Sequence, residues 1–159
     1  MNLVSAFGLL LAGVSSASTS PASDTNFDIR VVCDAQTKTS NMVWIASRSP
    51  DPADQSRLCI DKASGLSSLE IVSIDLGHNK LADDYALRLH IDPVRTNALN
   101  DLSARSQGRE LAFVKGGRYV AHAGLYGPFS QGTVMLIVAD KEKAIKVAEI
   151  LFNKSIAAP

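Results

Sequence analysis

Three histidines, His78, His90 and His122, and two cysteines, Cys33 and Cys59, are the side chains best able to hold a metal or attack a bond. Their spacing supports neither. No H-E-x-x-H or H-x-H arrangement occurs, so no single element presents two imidazoles to one ion. Asp75, Asp83 and Asp84 surround a turn at Asn79 but lack the ordered oxygen ligands of an EF-hand, and they read as solvated turn carboxylates. Ser130 lies near His122 in sequence, yet no G-x-S-x-G elbow places it on a strand-to-helix turn. Walker A and G-x-G-x-x-G patterns are missing, and the two cysteines are too far apart for a C-x-x-C redox pair. The expectation is a protein with no catalytic residue, no metal and no cofactor, and hence not an enzyme; a small secreted hydrolase is the weakest alternative.

Recognition chemistry is better represented. The segment 124–132, GLYGPFSQG, carries Tyr126 and Phe129 beside the stiffening Pro128, among glycines that permit tight turns. Aromatic side chains of this kind anchor interfaces when they are presented to solvent. The competing reading has Phe129 tucked beneath the helices, with the glycines merely shaping a crossover. A second candidate surface is the polar face of two strands, bearing Arg88 and His90 on one and Arg118 and His122 on the other.

The elements that must position these residues follow from periodicity. Phe27 to Cys33 alternates as a strand, with Phe27, Ile29, Val31 and Cys33 on one face. Met42 to Ala46 is a short apolar run holding Trp44, and Pro50 and Pro52 keep the following stretch out of helix interiors and central strands. Arg57 to Asp61 and Leu69 to Leu76 read as two further strands, with a turn at 77–80. Asp84 to Asp92 turns Tyr85, Leu87, Leu89 and Ile91 inward and Arg88 and His90 outward. Asp92-Pro93 opens a helix with a capping carboxylate and proline at its first position; Val94, Ala98, Leu99 and Leu102 form its apolar stripe, and Gly108 ends it. Leu111 to Lys115 and Arg118 to Ala123 form a hairpin through Gly116-Gly117, which accepts the positive φ angles of a type I′ turn. After the strand Thr133 to Ala139, Asp140 caps a last helix, Lys141 to Phe152, with Ala144, Ile145, Ala148, Ile150 and Leu151 buried. The fold expected is α+β: a ferredoxin-like antiparallel sheet with two helices on one face, preceded by an irregular disulfide-stapled β segment.

Composition constrains the partners. With 16 basic and 16 acidic residues among 159, and no block of either sign, the chain lacks the basic surplus of a nucleic-acid binder. Residues 1–17 carry no charge and contain the apolar run LVSAFGLLLAGV, too short to span a bilayer but suited to a signal peptide; a buried N-terminal helix is the alternative. Export would let Cys33 and Cys59 pair, adding roughly 3.5 kcal/mol on the chain-entropy estimate, whereas two separate buried thiols remain the other reading. The organisation expected is a signal peptide over 1–17, a flexible leader over 18–26 and one domain over 27–155, without stable membrane insertion.

From Gly108 onward the chain resembles a known family. Gly108, Arg109, Leu111 and Ala112, then Gly117, Arg118, Val120 and Ala123, then Pro128, Phe129 and Gly132, and finally Ala144, Ala148 and Leu151 follow in order the strand, turn, strand, loop and helix of the head subdomain in the first periplasmic region of SecD, the accessory subunit of the bacterial preprotein translocase. The resemblance implies a free-standing periplasmic or secreted head domain that contacts another protein or an extended peptide. Tyr126, Pro128, Phe129, Arg88, His90, Arg118 and His122 are its candidate contact residues. A periplasmic immunity or inhibitor protein that neutralises a toxin or enzyme is the alternative role.

Overall fold

The computed structural model describes residues 26–48, 55–125, 127–129 and 131–153. The expected signal peptide and nearly all of the leader lie outside them, as do Tyr126 and Ser130. Seven strands and two helices follow in the order β1 (Asn26–Val32), β2 (Met42–Ala46), β3 (Arg57–Asn79), β4 (Asp84–Ile91), α1 (Thr96–Arg105), β5 (Glu110–Lys115), β6 (Arg118–Gly124), β7 (Thr133–Val138) and α2 (Lys141–Phe152). All strand pairs of the sheet are antiparallel, in the order β6-β5-β1-β3-β4-β7, with β2 on β3 beside this path.

One strand differs from the sequence reading. Arg57–Asp61 and Leu69–Leu76 are not separate: β3 runs through both and continues to Asn79, across the expected turn at 77–80. It stays continuous because it bulges. Its register against β1 shifts twice, and Ser68 and Gly65 adopt positive φ at the shifts. The Asp28 carboxylate accepts from the Ser68 N–H at 2.9 Å, and Asp61 accepts from the Ala63 N–H and the Ser64 hydroxyl. A Cβ at Gly65 would lie 2.2 Å from the Ile29 carbonyl oxygen, so only glycine lets β1 pass this close. The bend divides β3 into a first half paired with β2 and β1, and a second half paired with β4.

Both helices pack into one core. Ile29, Leu69, Leu87, Leu99, Val134 and Leu151 are among its fully buried members, drawn from β1, β3, β4, α1, β7 and α2. Asp92 accepts from the Val94 N–H as expected, but Pro93–Arg95 is a 3₁₀ turn before α1. Val94 is consequently 84% exposed rather than part of the apolar stripe. Asp140 caps α2 through the Lys143 N–H, and Val147 joins Ala144, Ala148 and Leu151 in the buried stripe while Ile145 and Ile150 are half-buried. Lys115, buried, donates from Nζ to the Leu151 carbonyl in the last turn of α2, where the helix dipole favours a cation.

A second, smaller core lies where β2 curls back over the sheet. Ile60, Ala112, Val114 and Tyr119 are buried there, with Val43 and Ile45 of β2 packed against them. The Arg48 N–H donates to the Tyr119 carbonyl at 2.7 Å, and Ser47 bridges to Tyr119, so β2 reaches back to β6. Cys33 and Cys59 form the expected disulfide, Cα–Cα 5.4 Å, tying the chain after β1 to the start of β3.

Candidate functional site

β4 pairs with β7, and the N–H of Ile91 donates to the carbonyl of Gly132 at the head of that ladder. Gly132 has φ +72°, and a Cβ on it would meet the Thr96 hydroxyl at 2.9 Å, so the chain enters β7 through a position built for glycine. Gly127, Pro128, Phe129 and Gln131, with Gly124 at the end of β6 and Leu125 after it, face across to β7. Between them lies a groove of about 470 Å³, lined by Arg88, His90, Pro128, Phe129, Met135 and Ile137. A second groove of about 450 Å³ continues past Ile137 and is lined by Tyr119, His122, Asp140 and Lys143.

The structure thus brings together four of the seven candidate contact residues: Arg88, His90, Pro128 and Phe129 share one groove. His122 lies in the neighbouring groove, and Arg118, exposed at the start of β6, lines neither. Tyr126 falls outside the described residues. Both readings of Phe129 describe part of its position, since it is half-buried against the helix-covered core and also lines the groove.

Each histidine is matched to one carboxylate. His90 Nε2 lies 2.8 Å from Asp75, with its Nδ1 3.3 Å from the Thr133 hydroxyl; His122 meets Glu110; His78 meets Asp83 and stacks on Tyr85. Among the described residues no three His, Cys, Asp or Glu side chains gather as metal ligands. Arg88 forms no ion pair with another described residue, so the first groove carries uncommitted positive charge, whereas Lys143 shares the second with Asp140.

Arg109, one of the residues that carries the SecD resemblance, has a structural task. Its Nη2 lies 2.8 Å from Asp34 in the turn that follows β1. Desolvation pushes the Asp34 carboxyl up, but the Gln36 N–H, the Thr37 hydroxyl and the Arg109 guanidinium outweigh it and hold the group below its ordinary value.

Sequence reasoning missed Met135 and Ile137, each 54% exposed. The available signal was the lack of alternation in TVMLIV: a strand apolar on both faces exposes one of them unless something covers it.

No protein-family model matches the chain, and no curated protein matches it. Solved structures do. A crystal structure of SecDF in its super-membrane-facing form aligns over 82% of this chain and 19% of its own, at 13% identity and a TM-score of 0.50. A second SecDF structure, described as a membrane component that enhances protein export, aligns over 92% of this chain and 73% of its own, at 15% identity and a TM-score of 0.46. On the first of these the fold resembles a domain of SecDF, as the motifs after Gly108 imply, and the chain spans about a fifth of that structure. No helix among the described residues is long and apolar enough to cross a membrane.

Proposed function

We propose that this chain is an exported, non-enzymatic domain of the bacterial cell envelope that holds a segment of another polypeptide in the groove beside β7. The convergence of Arg88, His90, Pro128 and Phe129 on one groove floored by exposed apolar side chains carries this reading. The likeness in fold to SecDF supports it, and so does the Cys33–Cys59 bridge, because disulfides persist outside the reducing cytosol. The ferredoxin-like description, with two helices on one face, belongs to the same reading and draws on the antiparallel sheet and on the one core that α1 and α2 share.

The test uses a reduced, carboxymethylated globular protein, permanently unfolded and anionic, as probe. Fluorescence anisotropy is expected to show saturable binding to the purified disulfide-bonded protein. Truncating an anchor in Phe129→Ala should weaken it about tenfold, while the fold persists. Binding unaltered in that variant, or no binding by the wild type, would overturn the proposal.

A further inference from the structure

The two end strands of the sheet, β6 and β7, border the same pair of grooves, and Ile137 lines both. Backbone geometry shows what β7 offers there. Ile91 and Gly132 are a hydrogen-bonded pair, since the Ile91 N–H donates to the Gly132 carbonyl. Antiparallel ladders alternate hydrogen-bonded and non-bonded pairs. Following the register from His90↔Thr133 to Ala86↔Ile137, Val134 and Leu136 turn their backbone groups toward β4. Thr133, Met135 and Ile137 turn theirs outward. Among the described residues no strand pairs with β7 on that side.

Edges like this are normally protected. Proteins blunt them with charged side chains, proline, bulges or very short strands. β7 itself has none of these: its sequence is TVMLIV, six residues without charge or proline, its register against β4 is regular, and Leu125, Pro128 and Phe129 face it across a groove rather than pairing with it. An uncharged, β-prone six-residue strand at an edge is a template on which another chain can pair. The other end strand is different, because the outer side of β6 is already engaged at Tyr119 by the Arg48 N–H.

We infer that β7 captures its partner by strand addition: an extended polypeptide segment pairs with the outward N–H and C=O groups of Thr133, Met135 and Ile137 and becomes one more strand of the sheet. Such pairing gives affinity through the main chain, while alternate side chains give selectivity. Here the partner's apolar side chains would lie on Met135 and Ile137, and an acidic one would meet Arg88, which forms no ion pair with another described residue. The preferred segment is extended, apolar at alternate positions and acidic. This deepens the proposed function and rests on it.

The experiment again uses the unfolded carboxymethylated probe. Amide hydrogen exchange on the disulfide-bonded protein should slow at Met135 and Ile137 when the probe is added, with Val134 and Leu136, already bonded to β4, little changed. Met135→Pro removes one outward N–H at an edge position where proline is tolerated, and should lose about tenfold or more in affinity. Met135→Leu keeps that N–H and an apolar side chain, and should bind more tightly than Met135→Pro. A probe that binds equally well to Met135→Pro, or that leaves the outward amides unprotected, would eliminate strand addition while leaving the groove reading intact. A wild type that fails to bind would eliminate both. Protection of the same amides without probe, growing with protein concentration, would replace the peptide with a second copy of this chain.

Discussion

The helix-covered core and the curled flank around β2 are both apolar, but they are held by different means. Beneath α1 and α2, side chains from six or more elements interlock at near-zero exposure. The flank's apolar cluster is small, with Ile60, Ala112, Val114 and Tyr119 buried, and β2 leaves Trp44 57% exposed. Its order depends on discrete ties: the Cys33–Cys59 bridge, the Arg48 to Tyr119 hydrogen bond and the Arg109–Asp34 ion pair. A large core is maintained by area removed from water, whereas a small one needs staples.

The contrast can be broken experimentally. The largest effect is expected for Leu87→Ala, which empties a fully buried position of the main core and should cost roughly 3 to 5 kcal/mol in urea unfolding with little change in slope. A loss below about 1 kcal/mol would mean that the helix-covered core is not the principal source of stability. Next comes the double change Cys33→Ser with Cys59→Ser, worth about 2 to 4 kcal/mol. Its signature should be regional, with amides of Met42–Ala46 exchanging much faster while those of β4 and α2 keep their rank order; a uniform acceleration would erase the distinction.

Asp34→Asn is the smallest and the most pH-dependent. The Asp34 carboxyl is held below its ordinary value in the folded chain, so its contribution is present above the unfolded pKa and disappears as pH falls through the folded one. Wild type and variant should differ slightly at neutral pH and converge in strong acid. A gap that persists or widens there would mean the ion pair with Arg109 is not what ties the turn.

Much of the fold was legible because its signals are local. Strict alternation marked β4, paired glycines marked the β5–β6 hairpin, where Gly116 and Gly117 do take positive φ, and Asp140 marked the start of α2. The misreading of Val94 was local too, since proline after a capping aspartate also opens a 3₁₀ turn. The candidate site was legible only in part. Arg88, His90, Pro128 and Phe129 could be named as candidates, yet nothing singled out Met135 and Ile137, because apolar character does not say which face is covered.

By itself, then, the sequence determined most of the elements, the Asp92 and Asp140 caps, the Gly116-Gly117 turn, the cysteines available to staple the fold and an apolar last strand. The tertiary structure alone decided that β3 is one bent strand through Gly65, that β2 curls back to β6, and that the open edge of β7 borders a groove with Arg88 and Phe129 on its walls. The reason is physical. Propensity and periodicity act over a few neighbouring residues, whereas bulges, strand order and free edges are set by pairing between segments far apart in the chain.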